Sequence, residues 1–506
     1  MADRCFSGLT RVALAVALSL SLGACSLIPT YQRPDAPVPA RWVDSAPVPA
    51  GATSDVTQLA WARYFPDTRL QGLIRKALDN NRDLRVAVLN IEQMRAQYQI
   101  QRADQFPSVN ASVAATRQPS STPPNDLSTT ATAGLGITAF ELDFFGRVRA
   151  LSESAAAQLL ATEEARRAVH ISLVASVASS YHAVWADRLQ LAVAEQTLQT
   201  RQNSLKLLQL KFDNGVLNEL DLRTGQSLVE AARISRAQLQ RQLAQDLNAL
   251  NVLVGEVPTA DLLPPEPRLT VSGEADAAVV DVRPALWVGL SDLPVGLPSE
   301  VLLQRPDIAQ AEQLLISANA NIGAARAALF PRISLTASAG VVSDSLSGLV
   351  SDGRSVWSLG PQLVLPIFDA GRLQAQVESS QVKRDIAIAQ YEKALQNAFR
   401  DVADALVARS SYSDQAQAQL AQTDAEAARL KLATLRYNNG VANQLDLLDA
   451  QRSLFASQQA FIAAQLARQQ AHIALYKALG GGWAAEAVAP AASAPVVAPQ
   501  PASAQP

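Results

Sequence analysis

The sequence predicts a mostly α-helical protein of two tandem repeats, each a β-hairpin followed by a long coiled-coil helical hairpin, with the strands forming a membrane β-part. Three observations carry that prediction. Residues 205–226 (LKLLQLKFDNGVLNELDLRTGQ) return 225 positions later at 430–451 (LKLATLRYNNGVANQLDLLDAQ), with twelve of the 22 positions identical. Solenoid units run from about 20 to 50 residues, so a period this long marks a duplicated half-protein. Proline is absent from 125–257 and from 367–489, and because proline breaks helix interiors these stretches read as long helices. The segments just ahead of them alternate apolar and polar residues with period two, the pattern of a strand with one face of each kind.

The chain opens with a targeting segment, 1–24. Arg4 and Arg11 supply a positive end, and 12–22 is an apolar and serine run too short to cross a bilayer as a helix. It ends in Leu22-Gly23-Ala24-Cys25, which resembles a bacterial lipobox, so Cys25 is the expected lipidation site; an ordinary signal peptide with an incidental cysteine is the alternative. Ser26 at the next position, by resemblance to bacterial lipoproteins, favours sorting to the outer membrane. Only Cys5 and Cys25 occur in the chain. With Cys5 removed, no internal disulfide can form. A lipid-anchored segment, 25–66, precedes the first repeat.

The first repeat spans 67–255. Val109, Ala111 and Val113 alternate with Asn110, Ser112 and Ala114, giving a strand over about 107–117, a polar loop, and a returning strand over about 130–143. A helical hairpin follows over 146–255, turning at Asp213-Asn214-Gly215. A Pro-rich linker, 256–296, leads to the second repeat, 297–480. There Ile333, Leu335, Ala337, Ala339 and Val341 alternate with Ser334, Thr336, Ser338 and Gly340. Strands are expected at about 332–342 and 356–367, and a helical hairpin at 371–480 that turns at Asn438-Asn439-Gly440. The tail, 481–506, is rich in Ala and Pro and reads as disordered. The longer helices, at roughly 66 residues, extend ~100 Å and need lateral partners.

Ten-residue strands with one apolar face match a transmembrane β-barrel, although a β-hairpin packed on a soluble core gives the same pattern. If the strands lie in lipid, four are too few, because a membrane barrel needs about eight. An open sheet edge is not tolerated there. Several chains must then share one barrel, with eight strands from two chains or twelve from three. No later segment offers ~18 unbroken apolar residues, so no spanning helix is expected. A net charge of −3 gives no nucleic-acid footprint. His170, His182 and His472 stand alone on helices, only Met1 and Met94 occur, and no phosphate loop or nucleophile–base motif is present. The chain therefore reads as a non-enzyme with no catalytic residues, metal site or cofactor, apart from a covalent lipid on Cys25.

At the turns, Gly215 and Gly440 supply a positive φ. Asp446 and Asp449 lie three apart at the start of the returning helix and share a face with Leu445. The plain reading is that acids near a helix N-terminus stabilise its dipole by ~0.3–1 kcal/mol. Asp221 fits that role, since Thr224 stands where a second acid would be.

Taken together, the chain resembles the TolC-like outer-membrane efflux ducts, in the lipoprotein branch that serves tripartite resistance-nodulation-division pumps. The resemblance rests on Cys25 followed by Pro29-Thr30-Tyr31-Gln32-Arg33-Pro34, Leu293-Pro294-Val295-Gly296-Leu297-Pro298-Ser299, and Arg305-Pro306-Asp307-Ile308. It continues through Phe330-Pro331, Phe368-Asp369-Ala370-Gly371-Arg372, Arg436-Tyr437-Asn438-Asn439-Gly440-Val441, Leu447-Leu448-Asp449-Ala450-Gln451, and Tyr476-Lys477-Ala478-Leu479-Gly480-Gly481-Gly482-Trp483. It implies a homotrimer whose twelve strands form one outer-membrane β-barrel, continued by a twelve-helix α-barrel through the periplasm. It further implies a periplasmic adaptor (membrane fusion) protein and an inner-membrane resistance-nodulation-division pump as partners. Lys211, Phe212, Gly215, Val216, Arg436, Tyr437, Gly440 and Val441 would form the adaptor-docking tip. Leu445, Asp446 and Asp449 would form the periplasmic gate. Three copies would crowd six carboxylates, which favours protonation or bound cations. One departure is Ala442, where some members carry an arginine that helps lock the closed tip. The implied function is a passive exit duct for drugs or other small toxic compounds. A non-conducting lipoprotein that bridges outer membrane and periplasm, and a duct for protein secretion, are the alternatives.

Overall fold

In a computed structural model of the 506-residue chain, residues 26–42, 60–119, 127–267, 269–272, 279–282, 290 and 299–481 are described. The targeting segment with Cys25, about half of the 256–296 linker and the tail beyond Gly481 lie outside these residues. In chain order the main elements are α1 (Thr68–Asn80), α2 (Arg82–Ala103), β1 (Val109–Pro119), β2 (Leu127–Glu141), α3 (Arg147–Asp213) and α4 (Glu219–Val254). They continue with β3 (Thr270–Ser272), β4 (Val279–Asp281), α5 (Pro306–Ala327), β5 (Arg332–Ser343), β6 (Arg354–Val364), α6 (Arg372–Asn438) and α7 (Gln444–Ala478). The chain divides into two compact units, and each takes segments from both repeats.

The first unit comprises 1–37, 87–165 and 307–395. Its sheet is antiparallel throughout, in the order β1-β2-β5-β6, so each repeat contributes a hairpin and the β2–β5 ladder joins them. The register aligns Val109, Leu135, Ile137, Ile333, Leu359 and Leu363 on one face. That face is exposed, with Trp357 at 80% and Leu363 at 62%. The other face carries Asn110, Ser112, Thr336 and Gln362, with Ser338 and Ser358 hydroxyls 2.8 Å apart. Gly134 and Gly340 stand opposite each other on β2 and β5, where a Cβ on either would come within 2.6 Å and 2.3 Å of the facing backbone. Where strands meet helices, Glu141 accepts from Arg147 and from Arg332, both at 2.7 Å, and Phe145 stacks on Phe330 with centroids 4.8 Å apart.

Several strand boundaries differ from the sequence expectation by two or three residues. The first hairpin runs two residues further at its loop end (Pro119 against 117), and β2 starts at Leu127 rather than 130. The pairing Arg117↔Thr129, Gln118↔Ser128 and Pro119↔Leu127 shows why: the ladder is made of backbone groups and continues through polar side chains. β6 likewise starts at Arg354 and ends at Val364. Helices α2 and α5, each 22 residues, go beyond the sequence expectation. Val86, Leu89 and Ile100 of α2 are exposed while Leu84 and Ile91 are buried, so its apolar residues mark no single face. Helix α5 takes Pro306 as its first residue, where the missing N–H costs no hydrogen bond.

A strap, 26–33, runs back along α5. Ile28 fills the space beside Gly323, Asn319 Nδ2 donates to the Pro29 carbonyl at 2.7 Å, and Arg33 forks onto Glu312 at 2.7 and 2.9 Å.

The second unit comprises 38–86, 166–306 and 396–506. Asp67 caps α1 by accepting from the Arg69 N–H at 2.8 Å, and Leu70, Leu73, Ile74 and Ala77 form its buried stripe. Helix α4 ends at Gly255, in the left-handed region at φ 80°, packed against the Asn80 carbonyl. Trp185, Leu189 and Val193 of α3 meet Phe461 and Ile462 of α7 in one apolar cluster. Among the described residues no helix is long and apolar enough to cross a membrane.

Candidate functional site

The two Asn-Gly-Val turns lie in the second unit and are built alike. At the end of α3 the Gly215 N–H bonds the Phe212 carbonyl and the Val216 N–H bonds the Lys211 carbonyl. At the end of α6, Gly440 bonds Tyr437 and Val441 bonds Arg436 in the same way. This is the Schellman arrangement, which uses up the last helix carbonyls and needs a left-handed residue. The glycines supply it, at φ 76° and 70°. A Cβ on either would touch nothing within 4 Å, so the demand for glycine is purely conformational. Asn214 and Asn439 each cap their helix by donating to the carbonyls of Leu210 and Leu435 at 2.6 Å. Asn218 and Asn443 then start α4 and α7, accepting from the N–H of Asp221 and Asp446 at 2.9 Å. The sequence reading names neither N-cap, although Asn three residues before an acid in the first helical turn is a readable signal.

Lys211 and Tyr437 join the two tips. Lys211 Nζ donates to Tyr437 Oη at 2.7 Å and lies 4.8 Å from the ring centroid. Tyr437 also rests on the Leu430, Leu447, Ala450 and Leu454 cluster. Phe212 is half-buried, whereas Arg436, Val216 and Val441 are exposed, Val216 at 76%. An apolar pair at the very end of two helical hairpins thus faces outward, flanked by the two cations.

Leu445, Asp446 and Asp449 line a groove of about 1100 Å³ with Leu432, Arg436 and Ala442, closed on the other side by Thr224 and Leu228 of α4. Leu445 and Asp446 are exposed. Asp449 sits between two arginines, with Arg429 at 2.5 Å and Arg452 at 2.6 Å, and Arg429 also reaches Glu426 at 3.2 Å. The Arg429 guanidinium, with Arg452 beside it, holds the Asp449 carboxyl below the usual carboxylate range. Within one chain the balance therefore runs opposite to the crowding argument: Asp449 is held ionised, not driven towards protonation. Arg429 is not legible as its partner in the sequence, because it lies 20 residues away and meets it only across the hairpin, whereas Arg452 stands three residues on along α7, at readable helical spacing.

His170 and His182 are buried, and desolvation pushes His182 down to about 4. In the same unit Asp187 is pushed up to about 7 by burial and by its neighbour Asp246.

The outer membrane efflux protein family matches residues 73–256 and 297–481, one match per repeat. The antibiotic efflux pump outer membrane protein ArpC of Pseudomonas putida is 44% identical over 483 residues, which cover 94% of this chain and 96% of ArpC. The toluene efflux pump outer membrane protein TtgC, also of Pseudomonas putida, gives the same identity and coverage. Among solved structures, the open state of the MtrE outer membrane channel of Neisseria gonorrhoeae superposes with a TM-score of 0.78 at 38% identity, covering 90% of this chain and 98% of MtrE.

Proposed function

The chain belongs to the outer membrane efflux protein family, and from that premise we propose how it operates as the exit duct of an efflux pump in the outer membrane. The observation that carries the reading is the four-stranded sheet with one continuous exposed apolar face and one polar face, ending on β1 and β6. Lipid on the apolar face and water on the polar face satisfy every side chain, and closure with further copies satisfies both edges. Three copies close a twelve-strand barrel, and their six helical hairpins continue it as an α-barrel. Conduction is passive, without chemistry, metal or cofactor beyond a lipid on Cys25 that adds an anchor in the outer membrane.

The exposed Val216 and Val441, set among Lys211, Phe212, Arg436, Tyr437 and the two turn glycines, dock the hairpin tips of a periplasmic adaptor (membrane fusion) protein. The adaptor links the duct to an inner-membrane resistance-nodulation-division pump. Leu445, Asp446 and Asp449 gate the narrow end. The relatives' names, for antibiotic and toluene efflux pumps, support small apolar or amphipathic toxic compounds as cargo.

Planar-bilayer recording on the purified chain, paired with cross-linking mass analysis, tests the core of this reading. A trimeric species with discrete channel conductance is expected. A protein that binds bilayers without conducting is instead a structural bridge. Cysteines placed at Val216 and Val441 should cross-link to the adaptor in cells, and mass spectrometry of the mature N-terminus should find lipid on Cys25.

A further inference from the structure

The loop from β5 to β6 contains a single helical turn, Gly348–Ser351, which folds to one side of the sheet and packs on β5 and β2. Ala131 of β2 is fully buried, while Thr130 and Thr132 on either side of it are exposed. Alternate residues of a strand share a face. The register Ala131↔Ser343 and Leu135↔Ala339↔Trp357 therefore puts Ala131 and Ser343 on the apolar face with Trp357. Gly348 packs so closely on the Ser343 side chain that a Cβ has no room, and Gly353 brings the loop back against Val341 of the same face. The turn is held in place by its own hydrogen bonds. The Gly348 N–H donates to Ser345 Oγ at 3.1 Å, and the Asp352 N–H to the Gly348 carbonyl at 2.9 Å. The loop thus leans over the apolar face and away from the polar one, where Arg354 stays exposed.

What the turn presents outward is apolar. Val350 is 95% exposed and Leu346 59%, with Leu349 half-buried between them. Asp344 and Asp352 bracket the three and are exposed. The apolar rows of β5 run from Ile333 to Val341, about 27 Å along the strand and about 20 Å in height once it tilts, close to the ~25 Å apolar band of a membrane barrel. The Ser343 row lies just past that band, at the end of the sheet away from the helices. There, apolar side chains meet acyl chains and flanking acids meet headgroups and water, the arrangement of an interfacial anchor.

We propose that Leu346 and Val350 sit in lipid of the outer leaflet, so that the turn pins the β5–β6 loop to the lipid side of the barrel and keeps it clear of the exit. The inference rests on the reading that the apolar sheet face lies in lipid. Two observations name lipid as the occupant. The apolar face continues into the turn through Val341. The turn also lies over β2 and β5, the two inner strands, whereas a further copy would join at the β1 and β6 edges. The loop of the first hairpin, 120–126, reads SSTPPND and offers no comparable side chain. The anchor is therefore a property of the second hairpin.

The test uses the full-length chain in lipid nanodiscs, with a fluorophore on one introduced cysteine. The wild-type chain carried through the same labelling gives any background from Cys25. Val350→Cys should be quenched several-fold more by lipids brominated near the glycerol end of their acyl chains than by iodide in the water. Trp357→Cys, in the middle of the apolar band, should also be quenched by brominated lipid, and Ser112→Cys on the polar face should show the reverse preference. Dominant iodide quenching at 350 with lipid quenching at 357 overturns the proposal and leaves the barrel reading standing. Protection from both quenchers at 350 also overturns it, because a neighbouring copy then covers the turn. Loss of lipid quenching at 357 overturns the barrel reading and this inference together. Val350 is almost wholly exposed, so its replacement removes no packing.

Discussion

The two helical hairpins share a backbone plan and differ in what fastens them. Both longer helices have 67 residues, and both hairpins turn on the same glycine geometry 225 positions apart. Three residues inside the second tip form the bridge Arg429–Asp449–Arg452. The matching positions of the first hairpin are Ser204, Thr224 and Ser227. Where the second hairpin has Ala450 the first has Gly225, and a Cβ there would come within 2.6 Å of Leu208. Beyond the apolar contacts that both hairpins have, the first is thus fastened by close approach of its helices at Gly225, the second by charges in an exposed groove beside the Leu430–Leu447 cluster. Close packing excludes alternatives strongly. Surface ion pairs contribute little and respond to salt and partners. A duct wall suits the first kind of fastening and a moving element the second.

The difference breaks most sharply at the bridge. Asp449→Ala should raise single-channel conductance several-fold by freeing the second hairpin, while Thr224→Ala in the first should leave it unchanged. Equal effects from the two would abolish the contrast. Its pH response is also specified. The folded-state affinity of Asp449 for a proton is depressed, so the bridge is intact above the ordinary carboxylate value and is lost only as pH falls through the lower folded value. Acidification that stays above about pH 4 should therefore leave conductance steady.

A smaller effect is expected in the body of the first hairpin. Asp187, held at about 7 beside Asp246, has Tyr412 and Ala471 as counterparts for the pair in the second hairpin. Its folded value lies above the unfolded one of about 3.9, so the folded state binds the extra proton and stability falls as pH rises between the two. Asp187→Asn should raise the thermal midpoint at pH 8 by about 2–4 °C, with the gain shrinking towards pH 4. Tyr412→Phe should show no such slope. A flat profile for wild type would remove the asymmetry.

The smallest effect tests what the hairpins share. Gly215→Ala and Gly440→Ala each place a Cβ in the left-handed region, at about 1 kcal/mol. Because neither Cβ would meet a neighbour, the two losses should match in chemical denaturation. A clear inequality would mean that the tips are held differently after all.

Features that act through adjacent residues are legible in the chain. The strand faces follow from alternation at Ile333, Leu335 and Ala337, and the turn positions from Asn-Gly, because neighbours in sequence decide backbone geometry locally. Helix α2 is not legible in this way, since Val86, Leu89 and Ile100 spread their apolar groups around the axis and leave no periodic face to read. Of the candidate tip residues, Lys211 and Tyr437 can be named in isolation, but their contact across 226 positions comes only from the fold.

The sequence by itself determined the duplication, the two tip turns, the alternating strands and the family, because each is a pattern within a short window or a repeat of one. Tertiary structure alone decided which charges meet across helices. The Arg429 arm of the Asp449 bridge and the Asp187–Asp246 pair depend on side chains brought close by different helices, far apart in sequence. Electrostatic energy follows distance in space and burial, and neither is written in the spacing along the chain.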